Sequence, residues 1–458
     1  MDRPADRWLV RTIVLAQFGP AFMFSGVAVA LPAMGHELGL SATTLGLVET
    51  TFLASSAGFL LIAGRLADMV SRAALFRWSL FAFGVLSLAL GFVSSGWVVL
   101  TLRVLQGMSS AIAGASGPAL LMELVPVERR GRVFGAMMGA AYAGLALGPI
   151  AAGLVIDWFG WREVFWCGGA QILLGALPAF LQTAAGERPA ARRAGSTLHL
   201  PSSALLLLAM AAVVVAVSLG EHGGAVGGWI AAAVVAFGAF LWWQPRLDAP
   251  LLDLGELRRN GRLAAALCVQ LLLYLNAYNS IFMLSLFLQV AKGLDPHHAG
   301  LWLMAGSLVM ASIAPSAGRL ADRVRPELVA GFGTACVVVS SVLGCTLDAT
   351  SAPWLVGVVL AVQGLGFGLF SSPNLSLILG ALPRERSGFA SAVAAWSRSL
   401  GMFSGMAVTS ALIAVHFGER EVREDPAGVV STVHSAYLVL VVTSALALVV
   451  AFSRRARR

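Results

Sequence analysis

Fourteen long apolar stretches recur along the chain, and they settle what it can fold into before any motif is read. A helix rises ~1.5 Å per residue, so ~20 mostly apolar residues cross the hydrocarbon core of a bilayer. The stretches fall at 10–34, 45–64, 74–95, 97–121, 133–156, 162–182, 201–219, 225–243, 263–290, 299–318, 327–347, 353–376, 388–416 and 434–452. The longest connections, 183–200, 244–262 and 417–433, leave no room for a soluble domain. Only 12% of the residues are charged and 58% are hydrophobic, whereas soluble chains carry about 25% charged residues. No water-soluble fold of 458 residues hides that much apolar side chain. The expected class is all-α integral membrane protein with the lipid bilayer as its solvent, its 50 glycines suiting helices that pack through small residues.

The net charge of +8 does not point to a nucleic acid, because the basic residues sit in short clusters at the ends of the apolar runs. With the N-terminus inside, 25 of the 31 basic residues fall in inner segments, including 129–132, 188–193, 246–262, 319–325 and 384–386. Outer segments hold Arg162, Lys292, Arg420 and Arg423, and Arg103 and Arg398 lie within helices. That asymmetry predicts fourteen spans with both termini cytoplasmic. Arg3, Arg7 and Arg11 before the first run look like the start of a signal peptide. The run exceeds a signal core and more spans follow, so it reads as a retained first helix. Cys167, Cys268, Cys336 and Cys345 have no metal or disulfide spacing and are expected as small core residues.

The pentapeptide Gly64-Arg-Leu-Ala-Asp68 recurs as Gly318-Arg-Leu-Ala-Asp322, closing the second and the tenth runs. A displacement of eight helices equals a six-helix half plus an inserted pair. Carriers built from repeated halves place the substrate between them. The expected organisation is a six-helix bundle over 1–183, an inserted two-helix hairpin with flanking loops over 184–262, and a second six-helix bundle over 263–458. Asp68 and Arg72, with Asp322 and Arg323 in the second copy, are placed to pair across a short loop and with helix ends.

Several motifs together resemble the major facilitator superfamily, in particular its fourteen-span drug:proton antiporter branch. The loop Gly64-Arg-Leu-Ala-Asp68-Met-Val-Ser-Arg72 is similar to the family's signature loop, departing from it at Met69 and Ser71. Leu102-Arg103-Val-Leu-Gln106-Gly107 resembles the buried-arginine motif. Gly144-Leu-Ala-Leu-Gly148-Pro149-Ile-Ala-Ala-Gly153 resembles the antiporter motif, and Ser397-Arg398-Ser-Leu-Gly401 before Gly405 also fits the branch. The resemblance implies a monomeric secondary carrier without cofactors, exporting amphipathic molecules in exchange for protons across a bacterial inner membrane. It implies a conformational latch at Gly64, Asp68, Arg72, Gly318, Asp322 and Arg323, and a seal against proton leak at Gly144, Gly148, Pro149 and Gly153. One departure is mechanistic: Met23 stands before Ala30-Leu31-Pro32 where the branch usually carries an acid.

The residues themselves offer further candidates. Desolvation favours the neutral form of a carboxylate, so an acid inside a helix is a natural titrating device. Glu49, about one turn into the second span, is the best placed for it, unless it is simply solvated at the interface. Arg103, Gln106 and Ser110 share a narrow face with Gly107 and Gly114; the alternative for Arg103 is snorkelling to the outer surface. Arg398 is a parallel case with no acid near it in sequence. On the ninth helix Gln270, Tyr274, Tyr278, Ser285 and Gln289 form a polar stripe expected to line a substrate path or to bond a neighbouring helix. Asn276 and Asn279 project from another side. His297 and His298 are adjacent and do not share a helical face, so no metal site is expected. Two other readings compete with proton-coupled export: a proton-independent or import carrier of the same fold, and an integral-membrane enzyme or receptor. The last lacks a catalytic set of His, Cys or paired acids.

Overall fold

The computed structural model describes residues 4–125, 127–183, 198–219, 223–383, 386–418, 420–422 and 425–453. The side chains of Tyr278 and Asp322, the side chains of 129–132, and the whole of 188–193 lie outside the described residues. Among the described residues there are fourteen helices long and apolar enough to cross a membrane. Numbered as spans 1 to 14, they run Leu9–Glu37, Ala42–Met69, Arg72–Leu90, Gly96–Leu124, Ala136–Trp158, Trp161–Phe180, Leu200–Ser218, Val226–Arg246, Gly261–Ala291, Pro296–Ala321, Pro326–Gly344, Pro353–Gly380, Phe389–Phe417 and Pro426–Ser453. An even number of alternating spans puts both ends of the chain on one face, termed here the terminal face and opposed to the far face.

Most span ends fall within a few residues of those expected from hydropathy, and the exceptions have local causes. Span 14 starts at Pro426, eight residues earlier than expected, because Asp425 accepts from the Gly428 N–H at 2.8 Å and proline suits the first helical turn. Its first turns carry Ser431, Thr432 and His434, which masked the helix in the hydropathy pattern. Span 1 is interrupted at Gln17, between Pro4–Ala16 and Phe18–Glu37. A short helix, Leu254–Arg259, capped by Asp253, lies in the connection before span 9. Span 9 ends in a wide π-helical turn, Phe287–Ala291.

The packing is that of the major facilitator fold: two six-helix bundles plus an inserted helix pair. Span 1 packs on 5 and 6, 2 on 4, and 3 on 4 and 6; the same pairings recur eight spans later, 9 on 13 and 14, 10 on 12, and 11 on 12 and 14. Glycines preserve this register in detail. A methyl group on Gly107 of span 4 would overlap the Phe52 carbonyl of span 2, and one on Gly364 of span 12 would overlap the Gly306 carbonyl of span 10. Spans 7 and 8 pack on each other, with span 7 against spans 2 and 13.

Across the bundles, span 5 packs on 10, 2 on 13, and 1 on 9. Hydrogen bonds at these contacts cluster toward the far face. Thr50 and Ser410 hydroxyls lie 2.8 Å apart, and Ser410 also donates to the Gly46 carbonyl at 2.9 Å. Ser285 Oγ donates to the Ala28 carbonyl at 2.8 Å, and the His297 N–H donates to Asp157 at 3.2 Å. The Ala42 N–H reaches the Arg420 carbonyl at 3.1 Å.

The cysteines correct one expectation. Cys167 and Cys268 lie on the exposed flanks of their helices, and only Cys336 and Cys345 are partly covered. The outer surface of such a bundle faces lipid, where a thiol behaves as a small apolar group.

Candidate functional site

Spans 2 and 4 both start on the far face, and Glu49 and Arg103 each lie seven residues in, about 10 Å deep. The two helices approach closely because Gly107 seats its backbone on the Phe52 carbonyl. That approach lets Arg103 Nη2 donate to Glu49 Oε1 at 2.5 Å. Nη1 donates to Gln106 Oε1 at 2.7 Å and Nε to the Val48 carbonyl at 3.2 Å, while the guanidinium carbon stands 4.4 Å from the centre of the Phe52 ring. Gln106 is oriented in turn, its amide donating to Ser87 Oγ at 2.8 Å, and Ser87 donates to the Phe83 carbonyl. Phe52 stacks edge-on against Phe83 and beside Phe24, so spans 1 to 4 all meet at this centre.

Exposure decides between the readings that the residues left open. Glu49 is 0% exposed and Arg103 2%, so neither is solvated at an interface. Each guanidinium nitrogen of Arg103 finds an acceptor, which lowers the cost of burying the pair. The registers of Gly64 with Gly318 and Gly107 with Gly364 make Leu303 and Leu360 the counterparts of Glu49 and Arg103 in the second bundle. Both are buried. Only the polar neighbour is kept: Gln363 matches Gln106 and donates to Ser280 at 2.8 Å. The first bundle thus holds the charged centre. Gln106→Leu is expected to strand one guanidinium donor and lower stability by about 1–3 kcal/mol, measurable by thermal unfolding in detergent.

The polar stripe of span 9 divides by depth. Gln270 donates to the Ala394 carbonyl at 2.5 Å and accepts from Asn374 at 3.2 Å, tying span 9 to spans 13 and 12. Ser285 and Gln289, which reach the Ala28 and Val29 carbonyls at 2.8 and 3.2 Å, bind span 9 to span 1 across the two bundles. These three polar groups are engaged in interhelical bonds. Tyr274 sits between them, edge-to-face with Phe367 at 5.4 Å and 5.9 Å from the Arg398 guanidinium. On the other side of the helix Ser341 donates to Asn276, and Thr409 donates to Asn279. Ser285→Ala with Gln289→Ala is expected to loosen the far-face contact several-fold, read as faster thiol labelling from that face.

At the terminal face, Arg72 Nη2 pairs with Asp68 Oδ1 at 2.9 Å, its Nη1 lies 3.7 Å from Glu123, and its Nε donates to the Ala67 carbonyl. The loop after span 2 is thereby clasped to the end of span 4. In the second copy Arg323 is exposed. Among the described residues, a methyl group added at Gly64 would meet no atom within 4 Å, and one at Gly318 would touch only Ser372 at 3.3 Å.

Span 5 presents its small residues to two partners. Gly144 and Gly148 face the backbone of span 1 at Phe18 and Phe22, whereas Gly153 faces Pro296 of span 10 and the Pro149 carbonyl faces Gly300. Met23 is 2% exposed and packs against Gly168 of span 6, filling space at the position noted above.

Two like bundles that meet at contacts gathered toward one face are the architecture of a membrane carrier. The model of the Major Facilitator Superfamily matches residues 13–264 and 266–458, and the chain belongs to that superfamily. It is 29% identical over 404 residues to the multidrug resistance protein Stp of Mycobacterium tuberculosis, covering 85% of this chain and 72% of that protein. It is 28% identical to the tetracenomycin C resistance and export protein of Streptomyces glaucescens (86% and 73% covered). Identity to the riboflavin transporter RibZ of Clostridioides difficile is 24%, over 89% of each chain. A solved POT family transporter in complex with 5-aminolevulinic acid aligns over 98% of this chain and 96% of its own with a TM-score of 0.72. At 14% identity it supports the fold alone.

Sequence reading missed two members of these sites. Ser87 is one of two serines on a largely apolar helix, with no polar neighbour at helical spacing to mark it, and Val48 contributes only its carbonyl, which no side-chain pattern reveals.

Proposed function

We propose that this chain is a proton-driven exporter of amphipathic, drug-like molecules, acting as a monomer in a bacterial inner membrane with its terminal face in the cytoplasm. The observation that carries the coupling is the buried 2.5 Å contact of Glu49 with Arg103. A proton arriving at Glu49 cancels its charge and leaves Arg103 without a counter-charge in a low-dielectric site. The guanidinium must then change partners, and the neighbouring Thr50 carries that change to Ser410 in the other bundle. Opening and closing of the far face would thereby be linked to one protonation. Moving one charge down a membrane potential supplies ~2.3 kcal/mol per 100 mV, enough for useful accumulation with one or two protons.

The direction of transport is supported by the relatives named for resistance and export. The orientation is supported by the basic residues gathered on the terminal face, and the three-part division at 183 and 262 by the repeated packing. In the same reading the clasp Asp68–Arg72 restrains the terminal face and must loosen in each cycle. The test is substrate-induced proton movement in proteoliposomes, using a compound found by a resistance screen in an export-deficient host. Acidification of the lumen on the receiving side of the proton, dependent on substrate, is expected. Transport of the compound with no proton movement rejects the coupling.

A further inference from the structure

Arg398 stands nine residues into span 13, about 14 Å from its terminal-face end, where an unbalanced charge is expensive. Among the described residues no acid pairs with it and no hydrogen bond engages its guanidinium nitrogens. Its one contact of note is with the Tyr274 ring at 5.9 Å, near the limit of a cation–π interaction. The buried acid Glu49 is already held by Arg103. Among the described residues at mid-span depth, two arginines therefore stand against one glutamate, a surplus of one positive charge.

The ring beside Arg398 comes from another helix of the same bundle: Tyr274 belongs to span 9 and Arg398 to span 13. Tyr274 is held edge-to-face against Phe367, giving a stiff aromatic wall beside the cation. A fork of guanidinium donors, a phenolic hydroxyl and flat rings match one chemistry better than others.

We propose that Arg398 and Tyr274 form a recognition site for planar aromatic anions, ring systems bearing an ionised carboxylate or phenolate. The cargo supplies the negative charge that the protein withholds, and a cationic ring of the same shape is repelled. This rests on the reading of the chain as a carrier whose path runs between the bundles.

Fluorescein and rhodamine 123 share a xanthene ring and differ in charge at neutral pH, so they separate ring recognition from charge recognition. Fluorescence anisotropy titrations of the purified full chain in nanodiscs are expected to show fluorescein bound at least tenfold more tightly. Arg398→Gln should weaken fluorescein at least tenfold and erase the preference. Arg398→Lys, which keeps the charge but loses the planar fork, should retain the preference with a few-fold loss. A thermal melt of each variant guards against loss of fold, and the lysine variant carries the test if the glutamine variant does not fold. Equal or tighter binding of rhodamine 123, no binding of fluorescein to folded parent protein, or unchanged fluorescein affinity in Arg398→Gln overturns the proposal. None of these outcomes touches the Glu49 proton experiment, on which the exporter reading stands or falls separately.

Discussion

Glu49→Gln should abolish accumulation against a gradient while leaving downhill movement of the same compound within a few-fold of the parent. The glutamine keeps the shape and a hydrogen-bond acceptor for Arg103 Nη2, so the bundle should still form around Val48, Gln106 and Phe52. What it removes is the group that exchanges a proton. Concentrative uptake into inside-out vesicles is expected to fall at least tenfold and to lose its dependence on an imposed pH difference. Glu49→Ala is a different experiment. It leaves the Arg103 charge buried without its partner, a change that typically costs about 3–5 kcal/mol, and should lower the yield of folded protein. Full gradient-driven transport by the glutamine variant would move the coupling acid elsewhere.

The second large effect is expected at glycines that join the bundles. A methyl group on Gly153 would come to 2.5 Å from the Pro296 carbonyl, and one on Gly300 would overlap the Pro149 carbonyl. Both contacts are with backbone and cannot be relieved by a rotamer change. Valine at either position should push spans 5 and 10 apart and bias the carrier toward the far-face-open state. A penalty of only about 1.4 kcal/mol on one state shifts the two-state ratio tenfold. In a background without the four native cysteines, labelling of Met34→Cys from the far face should accelerate about tenfold. Gly364→Val is the control, because its clash with the Gly306 carbonyl lies inside one bundle. It should lower thermal stability and leave the labelling rate unchanged.

Much of the architecture was legible because a bilayer imposes a length on each helix. The start of span 14 was not, since Asp425 and Pro426 fix it through capping while the first turns are polar. The repeated pentapeptide exposed the two halves, and the paired glycines at 107 and 364 carry the same symmetry into side-chain packing. The candidate site was legible in its parts and not in its connections. Glu49 and Arg103 are 54 residues apart, and only the packing of span 2 on span 4 brings them together. Periodicity placed Gln270, Tyr274, Ser285 and Gln289 on one face of span 9, but what that face meets changes along its length. Near the far face it meets span 1, and at Tyr274 it meets Arg398.

Proton-coupled export depends most on Glu49 taking up and releasing a proton during the cycle. Infrared difference spectroscopy on reconstituted protein measures this directly, through the carbonyl stretch of a protonated carboxylic acid as pH is lowered. The parent should show a band that substrate binding shifts or diminishes, and Glu49→Gln should lack it. A band of equal size in Glu49→Gln, or none in an actively transporting parent, would contradict the account.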